Sequence, residues 1–532
     1  MTNAINSAIN SAINSAINSA TPEATPAAPA PVAPIRLRRI IDLPGPRPWP
    51  LLGNTLQVSV PTIHQDMEAW ARQYGPLFRV TLGRHTLLVV ADHALVLGLM
   101  RDRPDGFARA PKVREVSMEM GGNPGLFTAE GPAWQAQRRM VMAAFAPDRI
   151  RAYVPTLLRV TQRLQARWQR ATAAGQAIDL QADLKLFTVD AIAGLAFGTD
   201  VNSIDGGENP IHHHLDTIFA ATFRRIMSPL PYWRWITTPA DRQLAISLAA
   251  VQGAVAGFIA QAKARLQADP GLRAAPRNLL EAMLVAAAQD GSAVDEKDVA
   301  GNVSTMLLAG EDTTANSLAW LIDLLARNPA ALARAVAEVR GLPTPLAALT
   351  VDQLDQLPWL DACIQEAMRL KPVAPFLSLH ALRDSVVADV AVPAGTLLWC
   401  VLRHHSVDEG HFAQAAAFHP QRWLAGDGPP SSADKPAPDK PVVDKRVSMP
   451  FGAGPRMCPG RYLALLEMKL LMVMLLGTFE IDSVRPAQGV AGDETDEVMS
   501  FTMNPVALQM RLRLRPAGAL NPTPATASKT AP

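Results

Sequence analysis

Apolar positions recur every three to four residues across residues 295–327, predicting one helix of about thirty residues that would cross a whole domain at about 1.5 Å rise per residue. A second apolar run, 462–479, follows a loop rich in glycine and proline. A third helical pattern covers 178–198 and reads as amphipathic, with Phe187, Ile192, Leu195 and Phe197 towards the core. Alternation in 78–90 about Gly83 predicts a hairpin of short strands. Residues 111–125, rich in Met and Gly, read as an irregular loop and a candidate substrate contact, and 219–235 as an aromatic, proline-broken lid. Residues 265–277 read as an exposed polar connection, and prolines in 371–380 predict an extended segment.

The ends differ from this middle. Residues 4–19 repeat Ala-Ile-Asn-Ser and pass into Pro/Ala/Thr composition, so 1–34 is expected to be a disordered leader and 517–532 a disordered tail around one folded unit, 35–516. A Pro-, Asp- and Lys-rich stretch, 427–446, predicts a surface insertion. The leader lacks a continuous apolar stretch of about 20 residues and a basic-then-apolar signal pattern, so a soluble, cytoplasmic monomer without a membrane span is expected.

With 532 residues, 48% of them hydrophobic, the chain can bury a large core. Its 50 Lys and Arg against 48 Asp and Glu exert no global pull towards nucleic acid. Cys363, Cys400 and Cys458 have no paired spacing, which argues against a disulfide framework or an iron–sulfur cluster. His212-His213-His214 invites a metal reading, but adjacent helical residues do not share a face, and a solvated linker is expected. Arg224 and Arg225, near the lid, read as surface residues.

The chemistry concentrates at Phe451-Gly-Ala-Gly-Pro-Arg-Met-Cys458-Pro-Gly460. Pro459 can open a helix, which would put Cys458 at a helix N-terminus where the dipole favours thiolate, a nucleophile and a soft metal ligand. A buried structural cysteine in a Gly-Pro turn is the alternative. Upstream, Ala309-Gly310-Glu311-Asp312-Thr313-Thr314 sets acids and hydroxyls in mid-helix, Glu366 and Arg369 form an i, i+3 pair, Arg422 lies between that pair and Cys458, and Trp134 and Arg138 fall at i, i+4.

Together these motifs resemble the cytochrome P450 family, in a soluble, bacterial-like form. The resemblance implies a mainly α fold with a small β region, haem b as cofactor, and Cys458 as axial thiolate on the iron, which favours O–O cleavage. It implies that Arg456, Trp134 and Arg138 serve the haem propionates, with His380 in place of an arginine common at that point, that Phe451 packs beside the cysteine ligand, and that Phe451 and Gly460 contact the cofactor. Gly310 would leave room for dioxygen, Asp312 and Thr313 would deliver protons, with Thr314 as a substitute, and Glu366, Arg369 and Arg422 would form a buried network behind the haem. Phe501-Thr-Met-Asn-Pro505 would dip into the pocket.

The implied activity is insertion of one oxygen atom from O2 into a hydrophobic substrate. The lining is expected to include Met118, Met120, Val303, Met306, Ala309, Phe376, Leu377 and Met503. No flavin, nicotinamide or cluster motif follows the cysteine loop, so an external donor is expected: ferredoxin or flavodoxin with its reductase, or a flavoprotein reductase, docking near Arg139, Arg461 and Lys445. The alternatives are an H2O2-using peroxygenase, which needs no proton-delivery pair, and a haem-thiolate sensor or binding protein.

Overall fold

A computed structural model of the protein describes residues 37–516 apart from 124, 207–210, 290, 425–444 and 488–494. The leader, the tail and nearly all of the 427–446 insertion lie outside the described residues. The architecture follows from one buried helix, Glu296–Arg327. Asp295 caps it, accepting from the Asp298 N–H at 2.9 Å while the Asp298 carboxylate accepts from the Asp295 N–H at 3.1 Å. Pro329, which opens the next helix, stops it.

Around it pack Leu180–Ile192, Pro358–Leu370 and Arg461–Thr478. The 178–198 pattern is not an amphipathic surface helix: every residue from Leu186 to Ile192 is buried. The chain then widens into a π turn, Ala193–Phe197, ended by Gly198. The helix is sandwiched, and its polar groups are satisfied internally. Asp183 accepts from Trp168 Nε1 and Arg167 Nε, both at 2.9 Å, and Asp190 accepts from the Ser203 N–H at 2.8 Å.

The expected hairpin is Leu77–Leu82 and His85–Val90, antiparallel. What alternation alone could not show is its continuation into a five-stranded mixed sheet. His85–Val90 pairs parallel with Leu397–Val401, which pairs antiparallel with Phe376–Ala381, which in turn holds Phe107–Arg109 at the edge. The prolines of 371–380 do give an extended segment.

Other expectations change. Residues 111–119 are helix, opened by Pro111 at the first helical position. His212–His214 lies within the helix Ile211–Met227, not in a linker. Arg225 is buried and paired to Asp241 at 2.9 Å rather than exposed. Helix Pro239–Ala268 runs into the polar connection expected at 265–277. By length and composition alone that helix could cross a membrane. Its buried positions Leu244, Ser247, Val251, Val255, Phe258, Ala262 and Leu266 recur at three- to four-residue spacing, as in a helix packed on a core by one face.

Candidate functional site

The loop before Arg461–Thr478 closes on itself: the Cys458 N–H donates to Phe451 O at 2.9 Å and the Met457 N–H to Gly454 O at 3.1 Å. Gly454 has φ +68°, and a Cβ there would sit 2.3 Å from Met100 O, so the loop rests directly on the backbone of helix His93–Arg101. The helix starts at Arg461 with Gly460 as its N-cap, later than Pro459 suggests. The Gly460 and Arg461 N–H groups still reach the sulfur.

The charge balance at Cys458 differs from expectation. Burial pushes its thiol up, and the Gly460 N–H, Arg138 and the Arg461 N–H offset only part of that. A thiolate here needs a cation on the sulfur, and a coordinating metal deprotonates a thiol outright.

The sulfur opens onto an internal cavity of about 1250 Å³. That exceeds the roughly 300–1,000 Å³ of a common ligand pocket, leaving room for a large cofactor and a substrate together. Cys458, Phe451 and Gly460 lie on its wall, as do Met306, Ala309, Gly310, Thr313 and Thr314 of the long helix, Phe376 and Leu377 of the sheet, and Phe501 and Thr502 of a C-terminal turn.

Arg103, Arg109, Arg138 and Arg456 are among the arginines that line it, and Arg103, Arg109 and Arg456 gather around Glu130. Arg456 donates to Ala129 O at 2.8 Å and to the Glu130 carboxylate, and lies over the Trp134 ring at 4.4 Å. Burial, Arg103 and Arg456 push Arg109 down to about 9, with Glu130 opposing. Burial likewise takes Arg456 down to about 10. Arg103 Nε and Nη2 and Arg456 Nε and Nη1 are buried without a hydrogen-bond partner among the described residues. Orphaned cationic donors in one rim are a cradle for a ligand bearing carboxylates. A soft sulfur, an oversized void and an arginine rim that one carboxylate, Glu130, only partly neutralises together fit haem b with its two propionates.

Behind the loop, Glu366 and Arg369 are fully buried. Glu366 accepts from Arg369 Nη2 at 2.7 Å, Arg369 Nε at 2.8 Å, Arg422 Nε at 3.0 Å, Trp423 Nε1 at 2.8 Å and the His419 N–H at 2.9 Å. Arg369 and Arg422 spend their remaining N–H groups on carbonyls of Ser406, Ala413, Ala415 and Ala417. This ties residues 406–423 to the helix Pro358–Leu370.

In mid-helix, Thr313 faces the cavity and donates to Ala309 O at 2.7 Å. Asp312 points the other way, to Asn316 Nδ2 at 2.9 Å, Lys185 Nζ at 3.4 Å and the hydroxyl of Thr502. Lys185 also pairs with Asp216, which is half-exposed. Burial opposes the Lys185 charge, but Asp312 and Asp216 more than restore it, so its pKa is raised. Glu311 is buried with neither oxygen partnered among the described residues, and burial pushes it well up, so it is held neutral. Gly310 has a packing reason besides the one expected: a Cβ there would lie 2.9 Å from Ile192 Cγ1 of the neighbouring helix.

Several sequence expectations move. His380 does not line the cavity: in its strand register it meets Arg109 O through Nδ1 at 3.0 Å. The cavity-lining cations at that end are Arg103 and Arg109, which no spacing rule singled out. Met118 is exposed, Met120 and Val303 are in the main core, and Met503 is buried beneath the sheet. Phe501, Thr502 and Met499 of the same turn line the cavity instead. Phe501 has φ +110°, a conformation rare for a side-chain-bearing residue, and this turns its ring towards Phe127 and Phe219.

Thus a mainly α scaffold carries a cysteine on one wall and a helix with a threonine on the facing wall of a cavity shaped for a metal macrocycle. The chain belongs to the cytochrome P450 family, whose model matches residues 43–511 and whose cofactor is haem b held by a cysteine thiolate. It is 28% identical over 484 residues to the self-sufficient cytochrome P450 monooxygenase CYP505E5 of Aspergillus niger, covering 89% of this chain and 43% of that protein. It is 28% identical to the mitochondrial 25-hydroxyvitamin D-1 alpha hydroxylase of Rattus norvegicus (84% and 89% covered) and 26% identical to the chloroplastic cytochrome P450 97B2 of Glycine max (78% and 77% covered). The chain spans under half the length of the self-sufficient relative. These fungal, mammalian and plant relatives do not bear out the bacterial-like form expected from the sequence.

Proposed function

We propose that this chain is a haem-thiolate monooxygenase that puts one oxygen atom from O2 into a hydrophobic organic substrate. The observation that carries the reading is the placement of Cys458 and Thr313 on one cavity whose orphaned arginine donors suit propionates. Bound haem supplies the activation of O2, its thiolate ligand favouring O–O cleavage. The protein supplies the rest. Cys458 provides the sulfur ligand, and Arg103, Arg109, Arg138, Arg456 and Trp134 hold and neutralise the propionates. Met306, Ala309, Phe376, Leu377 and Phe501 give the substrate an apolar wall.

Protons reach the cavity through its own side chains. Asp216 and Lys185 connect the exterior to Asp312, and Thr313 and Thr502 present hydroxyls to the void. A peroxygenase or a binding protein would have no use for this buried chain of acid, amine and alcohol. Thr313→Ala is expected to keep haem while diverting most reducing equivalents to peroxide, measured as product formed per NAD(P)H consumed. Full coupling in that variant would remove Thr313 from the role.

Electrons are supplied by a donor, separate or joined, that docks on the face carrying Arg139, Arg461 and Lys445. Arg139 and Arg461 are exposed, and Arg461 reaches over Phe451 of the cysteine loop at 5.7 Å. Arg139→Glu should slow reduction by an acidic donor and flatten its salt dependence. Unchanged donor kinetics and unchanged salt dependence would exclude that face.

A further inference from the structure

Away from the cavity, three imidazoles converge where two distant parts of the chain meet. His93 is the first residue of helix His93–Arg101, set there by its N-cap, Asp92, which accepts from the Leu95 N–H at 2.8 Å. His405 lies in the short 3₁₀ turn His404–Val407, and His411 in the following turn. His93 Nδ1 and His405 Nδ1 are 2.9 Å apart, and ring nitrogens of all three histidines lie within 4.8 Å of one another. The His93 and His411 ring centroids are 4.8 Å apart and those of His405 and His411 are 4.5 Å apart.

We propose that His93, His405 and His411 form a binding site for a divalent transition-metal cation of the zinc class. Imidazole nitrogens bind Zn²⁺ at about 2.0–2.1 Å, which places neighbouring ligand atoms of a tetrahedral site about 3.3 Å apart. One pair is already at that scale, and a ring rotation brings in the third. The two facing Nδ1 atoms can share only one proton. A cation in its place lets both rings carry their proton on Nε2, as metal-bound histidines do. His405 Nδ1 accepts from the His93 backbone N–H at 3.3 Å, so its lone pair already points into the cluster. All three side chains are half-buried, open enough for an aqueous ion to enter. Three nitrogens leave a fourth position for water.

The site sits at a structural junction. The far end of the His93 helix is the backbone against which Gly454 of the cysteine loop rests. The segment holding His405 is fastened by Arg369, which donates to Ser406 O. A bound cation braces the cysteine loop from behind by pinning one to the other.

The test uses the full-length, haem-loaded protein, stripped with a chelator and titrated with Zn²⁺ alone by calorimetry. One equivalent per chain is expected, with a higher thermal unfolding midpoint. His93→Gln and His411→Gln should each weaken binding more than about 100-fold, since even outer partners of metal ligands are worth about 10–100-fold. Both should abolish the rise in midpoint. His213→Gln, in the helical histidine run, should change neither. A native reduced-carbon-monoxide spectrum certifies the fold of each variant, and if one misfolds the other decides. No one-equivalent binding, binding unchanged in the folded variants, or binding lost in His213→Gln would each overturn the site.

Discussion

Cys458→Ala is expected to leave a folded protein that no longer oxygenates substrate. The sulfur faces the cavity, and the loop is held by backbone: the Cys458 N–H to Phe451 O, the Met457 N–H to Gly454 O, and Gly454 against Met100. Removing the thiol therefore costs about 1 kcal/mol, an ordinary substitution. Activity depends on the sulfur itself. Without it the metal has no thiolate donor, and turnover should fall at least about a thousand-fold, or about 4 kcal/mol of barrier at 1.36 kcal/mol per decade. Product formation and the thermal unfolding midpoint, measured side by side, separate the two effects. Near-native turnover in the variant would dismiss Cys458 as the ligand.

Glu366→Ala should have the opposite profile, failing in assembly rather than in chemistry. Its carboxylate is the shared acceptor for two buried guanidiniums, an indole N–H and a backbone N–H. Deleting it leaves Arg369 and Arg422 charged, buried and unpaired, a loss of about 3–5 kcal/mol. The segment 406–423, which those arginines hold by its carbonyls, then loses its anchor, and the yield of haem-loaded protein should collapse. A haem-to-protein ratio like that of the native chain would refute the assignment. Burial opposes the Glu366 charge, but Arg369 first, then Arg422 and the His419 N–H, hold its carboxyl below the usual range. A depressed folded pKa means that this stabilisation is complete above the unfolded value, about 4.3 for Glu, and drains as pH falls below it. Acid should therefore release haem from the native protein in that window.

How much of this was legible in sequence depended on whether a residue's role is local. The long helix is spelled by its period and by Asp295 and Asp298 at its start, and the loop before Arg461 by glycines and prolines that exclude regular structure. Glu366 and Arg369 are one helical turn apart, so their meeting follows from spacing; Arg422 joins them only through the fold. The arginine rim was half legible: Arg138 and Arg456 sit in motifs, whereas Arg109 reaches the cavity because strand Phe107–Arg109 pairs with Phe376–Ala381, and Arg103 comes from the turn before that strand. That register also takes His380 away from the cavity. Methionines misled for a related reason. Met118, Met120 and Met503 have the same apolar character whether they face solvent, core or cavity, and only the turn at Phe501, with its positive φ, decides which neighbour enters the void.

The histidine cluster shows the same limit from the other side. His212–His214 is conspicuous in the sequence, yet only the His212 and His213 rings meet, at 4.0 Å between centroids, while His214 turns to the Ser247 hydroxyl. His93, His405 and His411 are scattered along the chain, and the parallel pairing of His85–Val90 with Leu397–Val401 delivers the segments that follow those strands to the same place.

The central claim is thiolate ligation by Cys458, and the absorption spectrum of the reduced, carbon-monoxide-bound protein tests it most directly. The native chain should give a strongly red-shifted Soret band that Cys458→His, equally loaded with haem, lacks. An unshifted band in fully haem-loaded native protein would contradict the account.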